Sequence, residues 1–377
     1  MPVGSLKNTL YGLALPVLGK RCRWKKTNDC ALTKVLRKHH VAGACIQRFE
    51  CGKLTQCYTA GYASPTMGRN PVTPETVFRT ASIAKMVSAL LVFRLQTLGK
   101  ISVQQDVSEL LGFRVRNPHH PEVPVTLAML LSHTSSIVDS TAYFNSFSHP
   151  EKLENLLKDP ETWSYQLPGT RFRYSNLAAG MVGCLLEKQF DSCLESLAQR
   201  ELFEPLQVKA TFDITRMQAP PADSIRVLPY ARAFDASTRM AAARPLDEAD
   251  PAYHYLLASG SLYVTAEALA KLTLAAWNGA AGFLNEESLR QMQQPLMGWP
   301  DQTVAMRHGM GLLKLEDAAV ANRPLWGHQG FAYGAVNGVF FDESGTGFVS
   351  LNSGASERRL GHLACLNRDL IGLWLKD

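Results

Sequence analysis

Hydrophobic spacing along the chain switches between a helical and a strand period, and the switches mark out its elements. Residues 29–40, "DCALTKVLRKHH", predict an amphipathic helix that Asp29 caps. "VAGACIQRFE" and "LTQCYTAGYA" read as two strands, and the intervening Cys51-Gly52-Lys53 gives them hairpin spacing with a turn glycine. "ASPTMGRNPVTPETVF" is too rich in Pro, Gly and Thr for either period and is loop. From Ile83 to Leu98 nearly every position is apolar, so the predicted helix is buried on most sides and stops at Gly99.

Between about residues 100 and 260 helix and loop dominate, in "VTLAMLLSHTS", "NLAAGMVGCLLEKQF", "SCLESLAQRELFEPL" and "YVTAEALAKLTLAAW". Strand patterns return in "HGMGLLKL" and in "YGAVNGVFFDESGTGFVSLNSG", which holds a turn at Asp342-Glu343-Ser344-Gly345. The segment from Glu357 to Leu375 predicts a closing helix with Leu360, Leu363, Leu366, Leu370 and Leu373 on one broad face. Elements adjacent in sequence usually pack as neighbours. The pattern therefore predicts an α+β fold, an α/β sandwich. Its mixed antiparallel sheet is built from N- and C-terminal segments and flanked by helices, with a mostly helical lobe inserted between them. The expected divisions are an N-terminal extension (1–28), a sheet domain (29–95 with 300–377) and the helical lobe (96–299).

Composition narrows the class. A chain of 377 residues that is 46% apolar and 19% charged has ample core and the balance of a soluble globular enzyme. Its net charge of +6 is a mild excess, densest at Lys20–Lys26 and Arg37–His40. No zinc-finger spacing, recognition helix or RNA-binding aromatic motif accompanies it, so it reads as a solvated face and no nucleic-acid partner is expected. The apolar run at 10–18 is too short to span a bilayer. Positive charge follows that run more than it precedes it, and no small-x-small site follows cleanly. Eight cysteines include no CxxC pair or zinc-type cluster, and Cys45 and Cys57 read as small core hydrophobes in strands. A reducing setting, cytoplasmic or in an organelle lumen, is favoured, with secretion the alternative. Neither His39-His40 nor His119-His120 has metal-ligand spacing, and no glycine-rich phosphate cradle exists. No metal and no cofactor are expected.

The candidate chemistry lies in "FRTASIAKMV". Ser82 and Lys85 stand three residues apart at the mouth of the apolar helix, a spacing that puts both on one face. A serine hydroxyl needs a base to become a nucleophile. A lysine among Ile83, Ala84, Met86 and Val87 tends to lose proton affinity, which suits it to that task. The other reading is a helix cap beside an ordinary lysine, but a helix this apolar leaves no solvated face for Lys85.

"TASIAKMV", followed by "LQTLGKISVQQDVSELL" and "VTLAMLLSHTSSI", resembles the opening of the serine β-lactamase and penicillin-binding-protein superfamily. Its nearest branch holds class C β-lactamases, D-Ala-D-Ala carboxypeptidases, D-aminopeptidases and related esterases. The branch's Tyr-x-Asn motif is matched by Tyr174, Ser175 and Asn176 in "LPGTRFRYSN", and its Lys-Thr-Gly or His-x-Gly motif by His328, Gln329 and Gly330 in "LWGHQGFAYG". "LFEPLQVKAT" and "ASGSLYVTAEALAKL" follow the family's order, so the resemblance runs from about residue 30 to the C-terminus.

The resemblance implies roles. Ser82 attacks a carbonyl carbon, and Lys85 or Tyr174 takes its proton. Asn176 orients Lys85 and the substrate, and the N–H groups of Ser82 and Phe331 form the oxyanion hole. Gly330 lets a substrate approach the backbone closely. His328 stands where the β-lactam-hydrolysing members usually carry lysine. Histidine is largely neutral at pH 7, which points away from fast β-lactam turnover and toward peptidase or esterase action.

His133 reads as structural, and His308 either lines the cleft or caps a strand edge. Tyr58, Tyr62, Phe144 and Trp326 are candidate pocket walls. The implied activity is hydrolysis through an acyl-serine, with a small-molecule or short-peptide acyl donor and water or a small acceptor. The alternatives are an esterase or transacylase for small esters or thioesters, and a non-catalytic scaffold or binding protein of the same fold.

Overall fold

The structure, a computed structural model, describes residues 29–64, 70–227, 230–300 and 303–376. The apolar run at 10–18, the basic run at 20–26 and the whole 1–28 extension lie outside the described residues. Eight strands form the main sheet: β1 (Gly43–Glu50), β2 (Lys53–Gly61), β3 (Met297–Gly298), β4 (Met306–His308), β5 (Leu313–Leu315), β6 (Leu325–Ala332), β7 (Ala335–Phe341) and β8 (Gly347–Ser353). Their order is β2-β1-β8-β7-β6-β5-β4-β3, antiparallel at every pairing. The N-terminal hairpin thus joins the C-terminal strands through β1 and β8, as expected from the sequence.

The turns explain the registers. Between β6 and β7 both linking residues, Tyr333 and Gly334, have positive φ (55° and 95°), the twist that a two-residue hairpin requires. "HGMGLLKL", read as one strand, is two. Gly311, at φ 93°, turns the chain back between β4 and β5 and packs against Ala89, where a Cβ would lie only 2.2 Å from the alanine Cβ.

Alternation along the strands feeds two cores. Ala44 and Ile46 of β1 join Phe340 and Phe348 against helices α1 (Cys30–Lys38) and α5 (Cys365–Trp374). Cys45 and Phe49 join Val339, Phe341, Val349 and Leu351 on the opposite face. There they meet α2 (Ala84–Thr97), α3 (Asn176–Phe190), α4 (Ala266–Asn278) and the short helices of the lobe. Helix α2 is apolar on nearly every side and buries eleven of its residues, Lys85 and Ser88 included. Gly99, at φ 67°, follows its end. Asp29 caps α1 by accepting from the Leu32 N–H at 2.9 Å.

Three local expectations are corrected. The closing helix begins at Cys365, not Glu357. Gly361 adopts φ 55° and folds Arg359-Leu360 back on Leu363-Ala364 as a small hairpin. In "VTLAMLLSHTS" only Leu127–Leu131 is helical, because the chain turns sharply through His133 and Ser136, both at positive φ. Cys57 is exposed rather than core, with its Sγ 3.7 Å from that of buried Cys45. Part of the basic stretch at 37–40 is paired: Lys38 and His39 donate to Asp369 on α5 at 2.6 and 2.8 Å. Among the described residues no helix is long and apolar enough to cross a membrane.

Candidate active site

Ser82 sits in a single 3₁₀ turn, Ala81–Ile83, that leads into α2. Backbone pairing of Phe78–Arg79 with Tyr263–Val264 anchors the approach, and Thr80 N–H donates to the Leu262 carbonyl at 2.9 Å. Ala81 adopts φ 52°, a left-handed conformation that costs energy for a residue with a Cβ and persists only where packing enforces it. Strand β6 supplies that packing. A Cβ at Gly330 would lie 2.2 Å from the Thr80 carbonyl oxygen and 3.3 Å from the Ser82 nitrogen, so only glycine lets β6 press on the nucleophile's turn. Asn337 of β7 adds a side-chain bond to the Arg79 carbonyl at 3.0 Å.

At the start of α2, one turn after the nucleophile, Lys85 Nζ lies 3.0 Å from Ser82 Oγ, 3.0 Å from Asn176 Oδ1 and 2.7 Å from the Ser259 carbonyl oxygen. Its side chain is buried. That burial, opposed by the Asp139 carboxylate and assisted by the Arg79 charge, lowers its pKa to about 7. A neutral amine has two hydrogens and one lone pair. Asn176 and the Ser259 carbonyl take the hydrogens, and the lone pair is left for the Ser82 hydroxyl.

Tyr174 and Asn176 come from the entry to α3. Ser175 caps that helix: its hydroxyl accepts from the Ala178 N–H at 3.1 Å and donates to Asp139 at 2.8 Å. Asp139 also receives the Asn176 amide at 2.8 Å and the Leu177 N–H at 3.0 Å, so one carboxylate fixes the start of α3 and turns the Asn176 oxygen toward Lys85. Tyr174 lines the cleft beside Ser82, and its ring lies 5.1 Å from Lys85 Nζ. Burial raises the phenol well above its usual range, opposed in part by the nearby Ser82 hydroxyl. His133 stacks on the Tyr174 ring with centroids 4.3 Å apart, and its Nδ1 accepts the Ser175 N–H at 3.3 Å. It is a buried packing partner, as its sequence context suggests.

His328 lies on β6, buried, with Nδ1 2.8 Å from the Gln329 carbonyl, which fixes the proton on that nitrogen. Burial, then the nearby Lys85, pushes its pKa down to about 3. Its ring is therefore neutral at physiological pH. Gln329 holds the C-terminal segment: its Oε1 accepts from Ala364 N–H at 2.9 Å and Asn367 at 3.1 Å, and its Nε2 donates to the His362 carbonyl at 3.1 Å.

These groups open on a cleft of about 250 Å³ lined by Ser82, Tyr174, Asn176, His328 and Phe331, with Trp299, His308, Arg359 and His362 completing it. The structure thus brings every site residue predicted from the sequence to one place: Gly330 backs the turn, Lys85 lies buried behind Ser82, and the others line the cleft. It adds Asp139, Ser259, Trp299, Arg359 and His362. Arg359 spreads over the Phe331 ring at 3.9 Å. Trp299 stacks on His362 at 4.2 Å and meets His308 edge-on at 4.6 Å. The aromatic walls differ from those expected. Tyr58 stacks on Trp374, and Trp326 lies under Lys314 with its N–H on the Gln293 carbonyl. Phe144 is exposed and packs on Phe147 and Tyr143, and neither it nor Tyr62 lines the cleft. No group of three or more His, Cys, Asp or Glu is arranged to hold a metal among the described residues.

Comparison with known proteins shows the family and the fold. The Beta-lactamase family model matches residues 29–364. Esterase EstB of Burkholderia gladioli is 25% identical over 407 aligned residues, covering 98% of this chain and 99% of that protein. Among solved structures, EstCE1, described as a hydrolase with promiscuous acyltransferase activity, superposes with a TM-score of 0.73 at 21% identity, covering 90% of this chain and 98% of the other. The D-amino acid amidase of Ochrobactrum anthropi SV3 gives 0.69 at 20% identity, over 91% and 97%.

Proposed function

We propose, for a chain that belongs to the beta-lactamase family, that this serine hydrolase forms an acyl-enzyme on Ser82 from small esters and amides. The observation that carries the reading is the buried Lys85 amine, 3.0 Å from Ser82 Oγ with its pKa near 7. A base whose pKa matches the working pH combines a useful neutral fraction with enough proton affinity.

In this reading Lys85 takes the Ser82 proton while Oγ attacks the carbonyl carbon, and the Ser82 and Phe331 N–H groups receive the developing oxyanion. Each such donor is worth about 3 kcal/mol of barrier. Tyr174, held as the neutral phenol by burial, does not compete for the first proton. It passes its proton to the departing alcohol or amine and is reprotonated by the Lys85 ammonium, which returns Lys85 to the neutral amine for the second step. Water then attacks the acyl-serine, and Lys85 serves again as base. Asp139 acts through Asn176, keeping its amide oxygen on Lys85.

The neutral His328 supplies no fixed charge for a substrate carboxylate, which favours ester and simple amide donors over β-lactams. A reading with anionic donors is supported by Arg359, a guanidinium at the cleft wall beside Phe331.

Intact-mass analysis after exposure to p-nitrophenyl acetate, nitrocefin and a D-amino acid p-nitroanilide tests the proposal. The expected result is an added acyl mass on the wild-type protein and none on Ser82→Ala. Absence of any adduct, or equal labelling of both proteins, would overturn it.

A further inference from the structure

A second, larger cavity of about 530 Å³ adjoins the catalytic cleft, and Trp299 lines both. It is bounded by the edge strand β3, its neighbour β4 and the approach to α3, through Phe172, Leu296, Met297, Val304 and Met306. The partition is aromatic. Phe172 meets Trp299 edge-on at 5.1 Å and stacks on His308 at 5.0 Å, and Trp299 lies parallel to Tyr174 at 6.3 Å. Polar groups share the lining: Thr170, exposed Arg171, and Arg307 paired with Glu316.

Volume and position together indicate the occupant. Binding sites for substrate-sized ligands span about 300–1,000 Å³, and the catalytic cleft, at about 250 Å³, lies just below that range. The second cavity falls within that range. Trp299, the wall it shares with the cleft, lies against Tyr174, the residue from which the proposed reaction delivers a proton to the leaving group. The apolar part of its wall, Phe172, Leu296, Met297, Trp299, Val304 and Met306, is where an apolar group gains affinity from buried area.

We propose that this cavity is the leaving-group subsite, selecting esters and amides whose departing alcohol or amine carries an aromatic ring or a medium-length alkyl chain. The inference rests on the Ser82 reading for its chemistry and on the cavity for its specificity, and the two are separable by experiment.

The test uses 4-alkylphenyl acetates, from methyl to hexyl. Their phenols leave with nearly equal ease, and all give the same acetyl-enzyme. For the wild-type protein kcat/KM is expected to rise with chain length, by up to roughly fourfold per added methylene. Leu296→Glu and Met297→Glu, which bring charge into the cavity, are expected to flatten that gradient; Leu296 is 40% exposed, so its substitution does not disturb the core. A flat wild-type series, or an unchanged gradient in both variants, would overturn the subsite.

Calorimetric binding of 4-hexylphenol to Ser82→Ala gives a readout independent of catalysis. Binding that Leu296→Glu abolishes supports the subsite, and no binding refutes it. Missing acetylation of the wild-type protein with intact hexylphenol binding would refute the Ser82 reading alone.

Discussion

The Asp139 carboxylate receives the Asn176 amide at 2.8 Å while its other oxygen takes the Ser175 hydroxyl and the Leu177 N–H, so a residue with no contact to Ser82 aims the group that aims Lys85. Asp139→Asn turns its amide NH2, a donor, toward one of these donors and leaves that donor unpaired. Because bonds to a charged group are worth about 1.5–3 kcal/mol, kcat is expected to fall roughly 10- to 100-fold. The same charge favours protonated Lys85, so the acylation pH profile should also move to lower pH. A rate loss with an unmoved profile would mark Asp139 as structural only.

Acylation should follow deprotonation of Lys85. The log of kcat/KM is expected to climb with unit slope below about pH 7 and level off above it. His328, neutral down to about pH 3, contributes no inflection, so His328→Gln should keep the limb near pH 7. A pH–rate profile of both proteins decides this.

Lys85→Met is expected to lower kcat by at least about a thousandfold and yet to stabilise the fold. Between about pH 7 and 10.5 the unfolded chain holds a proton on this lysine that the native protein has released. Wild-type stability therefore rises with pH across that window, and below it the burial cost is present in full, on the order of 5 kcal/mol. The variant's gain in Tm should be larger at pH 6 than at pH 9, as measured by calorimetry.

Gly330→Ala forces a Cβ to within 2.2 Å of the Thr80 carbonyl, so β6 must withdraw from the nucleophile's turn. A displacement near 1 Å costs about a hundredfold in rate. The expected signature is lost acylation with the Tm of a folded protein, read by burst kinetics and calorimetry.

Arg359→Met separates neutral from anionic donors. Turnover of p-nitrophenyl acetate should change less than about threefold, whereas a donor bearing a carboxylate should lose about 10- to 100-fold in kcat/KM. Equal losses on both would assign Arg359 to packing on Phe331.

The residues that were legible in the sequence are those whose chemistry depends on local spacing. Ser82 and Lys85 share a helix turn, and Tyr174 and Asn176 flank a helix cap, so each pair announces itself within a few positions. Asp139 and Trp299 reach the site through contacts far apart in sequence and leave no local pattern. Ser259 contributes a backbone carbonyl, which no side-chain reading can find. Arg359 and His362 were hidden for another reason. The leucine spacing from 360 to 373 imitates one helix face, and only the left-handed Gly361 breaks it. The main sheet was legible from its two ends because β1, β2, β7 and β8 are strand-like runs bounded by turn signals, whereas β6, interrupted by Gly327 and Gly330, was marked only by its His328-Gln329-Gly330 motif. The division of "HGMGLLKL" into β4 and β5 was not, since its glycine-containing turn interrupts an otherwise continuous apolar run.

Strand order also has a consequence for synthesis. The nucleophile and its lysine leave the ribosome some 240 residues before β6 and β7, which brace them, and β1 has no partner toward the sheet centre until β8 follows. Contacts this distant in sequence form late. A truncated translation product would thus carry Ser82 without its oxyanion wall, leaving incomplete chains chemically inert.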